Sequence, residues 1–356
     1  MEMKETQPNI RIYVACHKPS FVPENPLLVP VMAGAALPEN RSNFEGSDGT
    51  EKMPGILFDD AGDNISEKNH AYCELTPQYW VWKNEEADYY GFYHYRRYLS
   101  YKEIFPVNQD GTKRGSAYRC PFVELDDIRE DLTKYGHTEE RMREIIQDYD
   151  IITVLRERIN TSVYRQYTQF HPKEVLDAVL QILNRLYPAY VPAAKKYLAS
   201  KDIYYMNMYV MKKEKFREYM HWLFDILDTY EEECAETEDE SSETPRIMGF
   251  VAERLFGIFY TYQMEHGAKC AEVPYLRFYN TEPDGTEDAS RELQNNGQDK
   301  NIRNKNARNT NTPNTPIREF TLKPTTFKIK LNMRKLNKLC PAGSRRRVFL
   351  RSLLYR

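Results

Sequence analysis

The chain contains no run of about 18 apolar residues, the length a helix needs to cross a bilayer, so no membrane-spanning helix is expected. Its first residues, Met1 to Pro8, lack the apolar core of a secretory signal, which makes a cytosolic location the expectation. Cysteine is sparse: the six residues (16, 73, 120, 234, 270 and 340) stand far apart with no CxxC pair. Such spacing signals neither a zinc nor a disulfide framework and suits a reducing compartment. GxSxG, Walker and GxGxxG patterns are all absent, which removes the usual signals for serine hydrolases, P-loop enzymes and dinucleotide binders. Cys16 beside His17 on a strand cannot pair nucleophile with base, because strand neighbours face opposite ways. His94 and His171 do not stand at a metal-ligand spacing.

What the chain does have is aromatic and charged. Of its 356 residues 41% are hydrophobic and 13% aromatic, enough for a sizeable core in one large or two ordinary domains. Its 27 tyrosines combine a large ring with a polar tip, which suits stacking on sugars or bases and equally suits half-buried strands. The net charge of −3 conceals an asymmetry: Phe320 to Arg356 carries 11 Lys/Arg and no Asp/Glu, leaving an acidic body. There Phe349, Leu350, Leu353 and Leu354 stand among Arg345, Arg346, Arg347 and Arg351, as in a segment lying on an anionic membrane surface. A solvated tail is the plain alternative, and nucleic acid is the weakest of the three readings.

Hydrophobic patterning predicts strands at 9–16, 89–95, 150–155, 203–211 and 273–278. Helices are expected at 66–84, 123–146, 163–170, 173–186, 191–199, 213–229 and 246–264, with a long Pro/Gly/Asn-rich loop at 20–62. An acidic break falls at 231–243. From 281 to 319 the composition is dominated by Asn, Thr and charge, too poor in apolar groups to offset chain entropy, and reads as a disordered linker. The expected organisation is therefore an α/β body over 8–280, the linker 281–319, and a basic tail over 320–356.

Three groups fall at predicted strand ends or helix starts, where open α/β sheets place their ligands. They are His17-Lys18 after the first strand; Asp63, Asn64, Ser66, Lys68 and Asn69 at a helix opening; and His94, Arg96 and Arg97 closing the run Asp88-Tyr-Tyr-Gly-Phe-Tyr-His-Tyr-Arg-Arg-Tyr-Leu99. Guanidiniums grip phosphate oxygens in pairs, and helix N-terminal amides favour anions, so together the groups suit a nucleoside diphosphate. Each has a duller reading too: surface ion pairs for the cations and a helix cap for Ser66. Glu253, followed by Arg254 on an apolar helix, is either a base or half of a structural pair. Asn207 suits a sugar hydroxyl or a backbone group; Tyr79 and Trp82 suit sugar stacking or, at helical spacing, the core.

Several strings resemble one bacterial family: Ile12-Tyr-Val-Ala-Cys-His-Lys18, Asp63-Asn-Ile-Ser-Glu-Lys-Asn69, Tyr72-Cys-Glu-Leu-Thr76, Tyr79-Trp-Val-Trp-Lys-Asn84 and Gly91-Phe-Tyr-His-Tyr-Arg-Arg-Tyr98. Later strings from Tyr205, Trp222 and Arg246 agree in order, and the resemblance spans about residues 10 to 280. The family is an uncharacterised-domain family of capsular and exopolysaccharide gene clusters, described as glycosyltransferases. The resemblance implies a GT-A-like fold, a single Rossmann-type mixed sheet flanked by helices. It also implies transfer from a nucleoside-diphosphate sugar, UDP-linked by expectation, with galactofuranose a sugar some relatives are thought to use. The implied acceptor is a glycan on a polyprenyl diphosphate, reached from the inner membrane face through the basic tail, without nucleic acid as partner. Glu253 takes the place of the late carboxylate that deprotonates the acceptor, and Asn207, Tyr79, Trp82 and Arg254 would meet sugar or acceptor. Such folds usually hold Mn²⁺ or Mg²⁺ on an Asp-x-Asp. The one DxD here, Asp148-Tyr-Asp150, precedes a strand and reads as a turn, so metal dependence stays open. A non-catalytic glycan- or phosphate-binding module is the rival reading.

Overall fold

A computed structural model describes residues 7–45, 51–107, 121–234 and 246–283; the basic tail and nearly all of the expected linker lie outside the described residues. The first half runs β1 (Ile10–Cys16), β2 (Leu28–Met32), α1 (Pro38–Phe44), β3 (Leu57–Phe58), α2 (Asn69–Tyr72), α3 (Leu75–Asn84), β4 (Tyr89–His94), β5 (Arg97–Leu99), β6 (Phe105–Val107) and β7 (Phe122–Asp127). It continues with α4 (Glu139–Gln147), β8 (Ile151–Val154), β9 (Glu157–Arg158), α5 (Val163–Phe170), α6 (Lys173–Leu186), α7 (Val191–Ala199), β10 (Asp202–Ile203), β11 (Tyr209–Lys212), α8 (Lys213–Cys234), α9 (Ile247–Glu265), β12 (Cys270–Val273) and β13 (Tyr275–Asn280).

Among the described residues one mixed sheet follows the path β3-β2-β1-β4-β11-β8-β12-β6, and from β4 it also extends through β5 and β13 to β7. β2, β1 and β4 are parallel, β11 runs antiparallel between β4 and β8, and β12 is parallel to β8. The carboxyl ends of β1, β2, β4, β8 and β12 therefore share one edge with the amino end of β11. β1 has β2 on one side and β4 on the other, so the chain departs from β1 in two directions; such a switch opens a crevice at the strand ends.

Near-continuous apolar and aromatic runs build the centre of the sheet. Ile12, Val14, Tyr90, Phe92 and Val210 are all buried, as befits strands covered on both faces. A Cβ on Gly91 would stand 2.8 Å from Ile12 and 3.0 Å from Val210, so glycine lets the neighbouring strands' side chains close over β4. Tyrosine serves mainly as core: Tyr209 stacks on Phe256 of α9 at 5.5 Å, and the hydroxyls of Tyr93 and Tyr101 lie 2.6 Å apart. The Tyr209 hydroxyl donates to Gln78 at 2.8 Å, so these buried rings keep partners for their polar tips.

The structure departs from the sequence reading at several places. The expected loop at 20–62 holds β2, α1 and β3; Pro30 disguised β2, and it is tolerated because β3 reaches only Val31 and Met32. The first part of the expected helix 123–146 is the rim strand β7, largely exposed and hence charged, and the helix begins only at Glu139, capped by Thr138. Helix 66–84 is broken at Cys73, whose φ is 50°. Strand 203–211 divides around Met206 and Asn207, both at positive φ, and strand 273–278 divides at Pro274. The DxD lies at the amino end of β8, opposite the crevice: Asp148 caps α4, and the Asp150 carboxylate accepts the Lys269 N–H at 2.8 Å.

Candidate active site

The crevice begins with His17, just past β1, and His94, the last residue of β4, whose rings stand 5.9 Å apart. Tyr95 packs edge-on against His17 at 4.8 Å, and its hydroxyl lies 3.2 Å from His17 Nε2. The Arg96 amide donates to His94 Nδ1 at 3.2 Å, so the neutral His94 ring carries its proton on Nε2. His17 reaches solvent, yet partial desolvation lowers its pKa to about 4, helped by Arg96, Lys18 and Arg246. Burial likewise holds His94 well below the usual imidazole range, with Arg97, His17, Arg96 and Arg246 adding to it. Both imidazoles are neutral at pH 7 and act as hydrogen-bonding groups.

The permanent charges here are the guanidiniums and Lys18. Arg96 lies 5.1 Å over the Tyr95 ring, its Nε is buried without a hydrogen bond, and it has no ion-pair partner among the described residues. Arg97 opens β5 directly opposite His94. Lys18 pairs with Glu282 at 2.5 Å on the wall of an open cleft of ≈ 690 Å³, which His17, Asn43 and Lys52 also line. Neutral donors backed by an unpaired guanidinium are a setting for an anion that brings its own charge.

Glu253 lies on α9, one Oε accepting the Met206 N–H at 2.7 Å and the other bonded to Arg254 at 2.6 Å. Its side chain is 13% exposed. Burial raises its pKa, opposed by Arg254 and the Met206 amide, and Glu74 raises it further. Each carboxylate oxygen retains a lone pair, so these bonds leave it able to take a proton. Asn207 is 2% exposed; its amide donates to Glu74 at 2.9 Å and to the Gly249 carbonyl at 3.2 Å, while its Oδ1 is buried without a partner.

Arg246 connects the two groups. It precedes α9 at φ 66°, and its charge acts on His17, His94 and Glu253 alike. Burial works against that charge, yet Cys73, Glu74 and Glu253 hold its pKa above the ordinary range. Among the described residues four non-glycines have positive φ: Cys73, Met206, Asn207 and Arg246. All four adjoin this site. Such conformations cost of order 1–3 kcal/mol each and gather where function requires a particular geometry.

The remaining sequence candidates lie elsewhere or face inward. Ser66 is fully buried; its hydroxyl donates to Asp59 at 2.5 Å and receives the Ala36 N–H at 3.0 Å. Asp59 also accepts from Gly34, Ala35 and Thr76, closing a knot beyond β2. Asn69 donates to Cys73 and Thr76, Asn64 to Asp60 and Gly62, and Asp63 accepts from Tyr79 at 3.0 Å. Lys68 pairs with Glu231. These residues build the loop before α3. Tyr79 and Trp82 pack on Phe224 of α8 at 4.9 and 6.0 Å, as core spacing predicts. Arg254 is 1% exposed and holds Glu253, the Phe250 carbonyl and Gln166 from behind. Cys73, Glu74, Tyr95, Met206 and Arg246 are not among the sequence candidates, although all five lie within the strings quoted above.

Mg²⁺ and Mn²⁺ want carboxylate oxygens. Among the described residues no three His, Cys, Asp or Glu side chains gather as a metal-binding group, and the strand-end donors are imidazoles and guanidiniums. This set does not fit a hard cation.

The mixed sheet flanked by helices, with a polar crevice at its switch point, matches a GT-A-like glycosyltransferase fold. The chain belongs to the family described as a domain of unknown function (DUF4422), whose model matches residues 11–264. It is similar to the solved apo structure of WbbM, a bifunctional glycosyltransferase, with a TM-score of 0.64 and 33% identity over 77% of this chain. The match covers 46% of that chain, so this protein spans less than half of WbbM's length. No curated protein matches it. Among the described residues no helix is long and apolar enough to cross a membrane.

Proposed function

We propose that this protein transfers a hexosyl group from a UDP-sugar to the hydroxyl of a lipid-linked glycan in capsule or exopolysaccharide synthesis. The observation that supports the reading is the cluster of His17, Tyr95, His94 and Arg96 at the carboxyl ends of the neighbouring strands β1 and β4, with the Arg246 charge acting on both this cluster and Glu253. The diphosphate lies against His94 Nε2, His17, Lys18 and the guanidiniums of Arg96 and Arg97. Glu253 removes the acceptor proton as the acceptor oxygen bonds to the anomeric carbon. The bond from that carbon to the diphosphate oxygen breaks, its electron pair leaving with the diphosphate. Arg96 and the imidazole donors meet the charge as it grows; donors held in place at the strand ends stabilise it without reorganising. Galactofuranose is the sugar the family resemblance suggests, and the basic segment 320–356 would hold the protein at the cytoplasmic membrane face.

Glu253→Gln tests the base. Its turnover is expected to fall roughly 10²–10⁴-fold with UDP affinity unchanged. Because burial raises the Glu253 pKa, the wild-type rate should fall on acidification at a pH above the ordinary carboxylate range. Full turnover by Glu253→Gln contradicts the assignment; nucleotide binding without turnover in the wild type favours a binding module.

A further inference from the structure

On α9, Phe250 lies one turn before Glu253 and therefore on the same helix face. Its ring stacks on His171 at 4.1 Å and 28°, with both residues half-buried. His171 caps the end of α5 directly after Phe170, which is 42% exposed and is the one aromatic among the exposed large hydrophobic residues described. Arg246 flanks Phe250 on another side, its guanidinium 5.7 Å from the ring. Burial and the neighbouring Arg254 lower the His171 pKa to about 4, so the stack is a neutral aromatic surface at pH 7.

We infer that the His171–Phe250 stack, with the exposed Phe170 preceding His171 in the chain, is the platform on which a sugar ring of the acceptor glycan rests, one hydroxyl turned toward Glu253. This inference rests on the reading of Glu253 as base. A pyranose or furanose has one face of C–H groups and a rim of hydroxyls. The platform offers an aromatic face for the first and the charged Arg246 and Glu253 for the second.

Saturation-transfer NMR on the full chain with saturating UDP, using octyl β-galactopyranoside and octyl β-galactofuranoside as probes, tests the platform. The wild type should transfer saturation to the sugar C–H protons. Phe250→Ala and His171→Ala should each weaken glycoside binding roughly tenfold, about the size of one lost aromatic contact, while Phe250→Tyr retains it. Calorimetric UDP affinity should stay unchanged in all three. Unchanged glycoside binding in both alanine variants, or no glycoside signal from a wild type that binds UDP, overturns the platform and leaves the nucleotide reading intact. Glycoside binding by a wild type that ignores UDP, lost in Phe250→Ala, supports the platform while overturning the transferase reading. If Phe250→Ala also loses UDP, its fold is compromised and the His171→Ala result decides.

Discussion

Glu272→Gln should change how stability depends on pH. Glu272 is 1% exposed on β12; it accepts the Tyr204 hydroxyl at 2.7 Å and lies 3.5 Å from the Arg156 guanidinium. Burial pushes its pKa up to about 7, with Arg156, Tyr204 and the Arg156 amide pulling against it and Asp202 adding to the rise. In the unfolded chain the carboxyl returns to its ordinary value near 4.3. Between these values the folded state holds a proton that the unfolded state has lost. The stabilisation is therefore complete below pH about 4 and is lost as pH rises through about 7. At about 1.4 kcal/mol per unit, the wild type loses roughly 3 kcal/mol across this window through this one group. Glutamine keeps the shape and cannot ionise, so its stability relative to wild type should climb by that amount from pH 4.5 to 8. Urea unfolding of both proteins at pH 4.5, 6, 7 and 8 measures the difference. Parallel profiles would refute the reasoning. The residue bears on the site because Tyr204 opens the strained turn that presents Met206 and Asn207.

Two further changes probe the frame around the crevice. Asp59→Ala removes the shared acceptor of two amides and two hydroxyls, which should cost roughly 3–5 kcal/mol in denaturant unfolding as buried donors lose partners. Gly257→Ala places a Cβ 2.0 Å from the Tyr197 ring where α7 meets α9, and should lower stability by about 1–3 kcal/mol; an unshifted melting curve would refute that tight contact.

Helices α5, α6 and α7 were legible to the residue because their information is local: Ser162 caps one, and a regular apolar stripe runs along the next. Sheet rims were not, since β7 pairs on one side and carries its charges outward, while β2 hides behind Pro30. His17, His94 and Arg96 stood out because charge directly after an apolar strand has only the crevice to enter. Glu253 stood out as the one carboxylate in the interior of an apolar helix, Glu265 being its last residue. Arg246 and Cys73 did not. Their part depends on backbone strain and on contacts across about 170 residues of chain, and no local pattern carries either.

Calorimetric titration of the full chain with UDP, GDP and CDP, with and without Mn²⁺, tests the central claim most directly, repeated on Arg96→Ala. The account predicts selective UDP binding that weakens roughly 10- to 100-fold in Arg96→Ala, the size of a charge-assisted phosphate contact. Binding of no nucleotide, or equal UDP affinity with and without the Arg96 guanidinium, would contradict it.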